Sequence, residues 1–129
     1  MTQSSLGKRL SLTLLLSGCL AAYSTPGFSA DAPATMKNGV LVGANDMTLY
    51  VFDKDAGGKS MCNGPCADNW PPLMAPAGEK GSGDFGVITR DDGRQQYTYK
   101  GKPLYYWSKD KAAGDKTGDG FNNVWHVAK

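Results

Sequence analysis

The chain has 129 residues, with 14 Lys and Arg, 12 Asp and Glu, one His and a formal net charge of +2. Seventeen Gly and seven Pro are spread along it, which argues against long helices, since each Gly or Pro inside one costs about 1 or 3 kcal/mol. The basic residues are scattered and not clustered, which argues against a nucleic-acid partner.

Residues 1–30 have the layout of an export signal. Lys8-Arg9 closes a polar start, Leu10 to Ala22 is apolar, and Pro26-Gly27 precedes Ala30. The apolar run falls short of the about 20 residues that a membrane span needs, and no second candidate follows. The mature part is therefore expected to be soluble or anchored. Two processing routes fit. Leu16-Ser17-Gly18-Cys19 looks like a bacterial lipobox, in which Cys19 is lipidated and becomes the new N-terminus. Ordinary cleavage after Ala30 competes, although Phe28 is bulky for the third position before the cut. Lys8 and Arg9 are the only charges in this leader, so the chain from Asp31 carries 12 basic against 12 acidic residues, and its net charge is near zero. Cys62 and Cys66 remain as an even pair, and in an oxidising compartment they are expected to form a disulfide.

Residues 31–35 read as a tether, and 36–129 as one small all-β domain, hairpin-rich with long Gly-rich loops. Val40 to Val42, a turn at Ala44-Asn45-Asp46 and Thr48 to Phe52 predict a hairpin. Arg94 to Tyr99, Lys100-Gly101 and Pro103 to Trp107 predict its counterpart. Val87-Ile88-Thr89 before Asp91-Asp92-Gly93 is a further strand, with a two-residue turn expected at the Asp-Gly pair. Ala75 to Asp84 is the linker between two pseudo-symmetric repeats, at about 36–74 and 87–129.

The repeat itself is explicit. Leu49-Tyr50-Val51-Phe52-Asp53-Lys54-Asp55 returns 55 residues later as Leu104-Tyr105-Tyr106-Trp107-Ser108-Lys109-Asp110, and each copy is followed by a Trp, Trp70 or Trp125. Alternation places Tyr50 and Phe52 on one strand face and Leu49 and Val51 on the other, so both faces are apolar and both should be covered. These aromatics are core packing or, in the functional reading, a stacking platform for sugar or peptide. Asp55 and Asp110 are expected to accept backbone N–H bonds and pin the loops that follow. Glycosidase-like work would need the two carboxylates about 5 to 10 Å apart around a sugar.

Together with Cys62-Asn63-Gly64-Pro65-Cys66, Trp70-Pro71-Pro72 and the closing stretch from Gly118 to His126, the Tyr50, Phe52, Asp55 and Tyr105, Trp107, Asp110 triplets resemble a bacterial predicted-lipoprotein family of secreted repeats with a Y-x-(F/W/Y)-x-x-D motif. The resemblance implies export and, for many members, lipid attachment. It implies no established activity.

The loops 56–69 and 111–124 are equal in length yet differ in content. One holds Cys62 and Cys66; the other holds Asp115, Thr117 and Asp119. A C-x-x-x-C spacing is not the usual redox spacing, and a structural bridge is expected. Asp115, Thr117, Asp119 and Gly120 partly match a calcium loop, but position 12 is His126 and not Glu. His126, the sole histidine, would need partners such as Met36, Met47, Met61 or Met74 for a copper site. The expectation is thus no cofactor, with calcium or copper as the rivals, and no enzyme. The sequence predicts an exported, lipid-anchored envelope module of unknown ligand, in the periplasm or at the outer membrane. The alternative is a periplasmic redox or metal-handling protein using Cys62 and Cys66, or His126 with methionines.

Overall fold

The computed structural model describes residues 32–129; the expected export signal, with Cys19, lies outside the described residues. Among the described residues, no helix is long and apolar enough to cross a membrane. The domain is built of short strands. β1 (Thr35–Lys37) and β2 (Val40–Val42) form a hairpin. Its turn, Asn38-Gly39, has positive φ at both residues, the conformation that a tight two-residue hairpin connection demands. The expected tether reaches further than the ordered chain allows, because Thr35 opens β1 and Ala34 is buried. A small side chain there fits the core beside Leu41.

β3 (Tyr50–Phe52) is followed by the five-residue helix α1 (Pro65–Asn69) and by β4 (Met74–Ala75). β5 (Phe85–Thr89), β6 (Gln95–Tyr99) and β7 (Lys102–Pro103) form the largest sheet with β4, in which β6 is central. The chain closes with β8 (Trp125–Val127). Between β5 and β6 the turn takes in Asp91, Asp92 and Gly93, one residue more than the pair expected from Asp-Gly. Arg90 N–H donates to Arg94 O at 2.8 Å, and Gly93 takes φ +89°. Asp92 accepts the Arg94 N–H at 2.9 Å, a local bond that favours the longer turn.

The two halves exchange strands. β3 of the first half pairs antiparallel with β8 of the second, Tyr50 opposite Val127 and Phe52 opposite Trp125. Reciprocally, Tyr106 N–H donates to Pro71 O at 2.7 Å and Ser108 N–H to Asn69 O at 2.9 Å, as Asp53 N–H does to Val124 O at 2.8 Å. The same pattern recurs around each repeat. Leu41 N–H reaches Ala128 O and Ala128 N–H reaches Leu49 O, both at 2.8 Å; in the other half Tyr97 N–H reaches Leu73 O and Leu73 N–H reaches Leu104 O, both at 2.9 Å. At the centre the two motif tyrosines bond each other's backbone, Tyr50 N–H to Tyr105 O at 2.8 Å and Tyr105 N–H to Tyr50 O at 3.0 Å.

Both faces of the repeated strands are buried. One face joins Tyr50, Tyr105 and the tryptophans with Cys62 and Val127; the other joins Leu41, Leu49, Leu73, Leu104 and Ala128. Strand alternation sends neighbouring side chains into different clusters, so one short strand contributes to two cores.

Candidate functional site

The motif residues converge on the seam between the halves. Phe52, Trp125, Trp70 and Trp107 stack in that order. Their centroids are 4.2, 3.8 and 3.9 Å apart, with interplanar angles of 12°, 2° and 24°. The rings come alternately from the first and second repeats. Tyr50 and Tyr105 meet Trp70 and Trp125 edge-on, at 5.3 and 5.1 Å, the arrangement that ring quadrupoles favour. Gly118 lies under Trp70 and Trp107, where a Cβ would overlap the indole of Trp70.

The polar ends of the motif cross over as well. Tyr50 Oη donates to Asp110 Oδ2 at 2.7 Å, and Tyr105 Oη to Asp55 Oδ2 at 2.7 Å. The second carboxylate oxygen of each Asp holds its own loop: Asp55 Oδ1 accepts Met61 N–H at 2.7 Å, and Asp110 Oδ1 accepts Thr117 N–H at 3.0 Å and Thr117 Oγ1–H at 2.7 Å. Each motif therefore contains a Tyr and an Asp that bond to the other copy. Burial, more than the neighbouring carboxylates, pushes both phenols far above their ordinary value. Burial also raises Asp55, against the pull of the Met61 amide, the Tyr105 hydroxyl and the Arg90 charge. Both oxygens of each carboxylate are thus engaged, one by its own loop and one by the phenol of the other repeat.

The two loops are stiffened by different means. Cys62 and Cys66 are disulfide-bonded, with Cα atoms 5.2 Å apart, across the start of α1. Arg90, 4 % exposed, lies beneath this loop. Its guanidinium donates to Ser60 Oγ at 2.9 Å, Gln96 Oε1 at 2.8 Å, Cys62 O at 2.6 Å and Asn63 Oδ1 at 3.1 Å. Ser60 Oγ also shares a 2.6 Å bond with Tyr105 Oη, which ties the cystine loop to the motif. Sequence reasoning missed Arg90, Ser60 and Gln96. Nothing in their local pattern marks them, because their acceptors are assembled from segments far apart in the chain.

The opposite loop has no bridge. Asp115 Oδ2 accepts the N–H groups of Lys111 at 2.7 Å and Ala112 at 3.0 Å, and Asp119 Oδ1 accepts Val127 N–H at 3.1 Å. Thr117 is held by Asp110. His126 Nε2 lies 2.8 Å from Asp53 Oδ2 at the surface. Asp115, Thr117, Asp119 and His126 thus share no partner. Among the described residues, no group of three or more His, Cys, Asp or Glu stands together as a metal site would require. Met36 and Met61 are exposed.

A small all-β domain in which two repeats exchange strands and complete each other's buried motif defines the class as an interlocked repeat module. The chain belongs to the Lipoprotein_15 family, described as a secreted repeat of unknown function, which matches residues 32–74 and 86–129. These two segments are the two halves described above, and the Gly-rich connection separates them. No curated protein and no solved structure matches the chain.

Proposed function

We propose that this exported protein is a non-enzymatic binding or structural module of the cell envelope, anchored through a lipid on Cys19. One observation carries the reading: the motif carboxylates and phenols that could have done chemistry are engaged with each other across the seam. Groups used in this way hold a scaffold and leave recognition to the surface. The disulfide serves the same end, since Cys62 is fully buried and its carbonyl takes the Arg90 guanidinium.

Thiol trapping in intact cells tests the module against a redox role. Cys62 and Cys66 should stay oxidised throughout growth; a reduced fraction that rises and falls with the electron supply of the envelope overturns it. Labelling with palmitate tests the anchor. Incorporation should be lost in Cys19→Ala, and an unlabelled mature protein that begins near Asp31 ends the lipid reading.

A further inference from the structure

The halves differ at one further place, on the face of the repeated strands turned away from the tryptophans. Val51 and Tyr106 occupy equivalent positions there. Tyr106 reaches across to the turn after β2, where its hydroxyl accepts Ala44 N–H at 2.9 Å. Its ring lies on Gly43, and any Cβ at that position would overlap the hydroxyl. In the other half the backbone pairing makes Tyr97 the counterpart of Leu41, and so Tyr99 that of Gly43; Tyr99 packs against Phe85 with centroids 5.2 Å apart, and Val51 is too short to fill the space. An open groove of about 320 Å³ results.

The apolar side chains that line it are Val51 and the Tyr99 ring, and its rim carries Lys100, Lys102 and Lys129. The single carboxylate side chain that lines it, Asp53, is held by His126. None of the three lysines forms an ion pair with a described residue; Lys100 Nζ lies 5.2 Å from the Tyr99 ring centroid. The chain from Asp31 is close to neutral overall, so this concentration of positive charge is local.

We propose that the groove binds a phosphate ester carried on a compact, partly apolar body. Lysine ammonium groups suit phosphate as compact point charges, and Val51 with the Tyr99 ring offers an apolar surface to the carbon side of the ligand. The volume is at the lower end for small-ligand sites. The opposite half shows that the scaffold can be built with this space filled, by Tyr106, so the opening is not imposed by the fold. The proposal rests on reading the protein as a binding module, and names the ligand class of that module.

Amide shifts of the isotope-labelled mature protein test it, with inorganic phosphate, glucose phosphate, glycerophosphate and uncharged glucose as probes. Saturable shifts are expected at Val51, Lys100, Lys102 and His126 with the esters and not with glucose, weakening as salt is raised. Lys100→Gln with Lys102→Gln should weaken binding about tenfold or more while the melting temperature holds. Val51→Tyr with Tyr99→Gly, which copies the other half, should abolish it; if that pair does not fold, the lysine variant decides. Vesicles of phosphatidylcholine with and without phosphatidylglycerol distinguish a lipid headgroup from a glycan phosphate as the source of the ester, and either supports the site. An absence of saturable shifts in the groove, or binding unchanged by the lysine substitutions, overturns the proposal. Saturable shifts confined to the cystine loop reject the groove and leave the module standing, whereas cycling thiols at Cys62 and Cys66 reject the module itself.

Discussion

Tyr50 carries more than its ring. Its hydroxyl is the proton donor to Asp110 and the acceptor of Gly118 N–H at 3.2 Å, so Tyr50→Phe strands both in a buried place. A cost of about 1.5–3 kcal/mol is expected for a lost bond to a charged group, read as a lower melting temperature. A double-mutant cycle with Asp110→Asn should show coupling well above about 0.5 kcal/mol; additive losses would show that the pair does not act together. Both phenols also set an alkaline limit. Their folded pKa values lie above the ordinary 10.0, so the stability they contribute is complete below pH 10 and declines as pH rises past it. Phenolate absorbance from these two should therefore appear only together with loss of folded signal. Asp55 works in the same direction from its ordinary 3.8. Folding favours its protonated form, so the stability of the native protein relative to Asp55→Asn should increase as pH falls from neutrality toward the carboxylate range. A difference that moves the other way would show that the Tyr105 and Met61 bonds outweigh burial.

Among the elements, the ring stack explains the small residue at position 118. Gly118→Ala places a methyl against Trp70 and Trp107, and overpacking of this kind typically costs about 1–3 kcal/mol. Near-ultraviolet circular dichroism should show the tryptophan signal altered, and a variant with unchanged spectrum and melting temperature would mean that the stack yields freely. The cystine loop is a milder case. Cys62 and Cys66 are four apart in sequence, so the closed ring is small, and Cys62→Ser with Cys66→Ser should cost at the low end of the usual ~2–4 kcal/mol. Arg90 retains its Ser60, Gln96 and Asn63 bonds in that variant, which should keep the loop in place.

The two halves are interlocked throughout, and this has a consequence for each of them. β3 has its partner in β8, Tyr50 has its carboxylate on Asp110, and Trp70 is stacked between two rings of the other repeat. Neither half can complete a core alone. Fragments 32–84 and 85–129 should each be unfolded when expressed separately, and should regain tertiary structure when mixed. A cooperative thermal transition in either isolated fragment would show that the repeats are independent units. The same interlocking fits an exported repeat domain that must hold its shape, and it leaves the two unlike loops and the lysine-rimmed groove free to differ.

Alternation and turn chemistry are local, so the all-β class, the two repeats, the hairpin turn at Lys100-Gly101, and the two apolar faces of the repeated strand are legible in the residues alone; the first half's predicted hairpin is not, since Tyr50–Phe52 pairs with β8 and the tight turn falls at Asn38-Gly39. The roles of Asp55 and Asp110 are legible in part, as carboxylates that hold the next loop. Which Tyr each one meets is not, because the partner lies at a distance in the chain that no local pattern encodes. Three features emerge only when the chain is folded: the halves exchange strands, Arg90 is buried beneath the cystine loop, and Tyr106 fills a space left open beside Val51. Each of these depends on how two nearly equivalent halves fit together. A perfect repeat would make the halves interchangeable, and it is the substitutions between them, Val for Tyr and Tyr for Gly, that the packing converts into one closed site and one open groove.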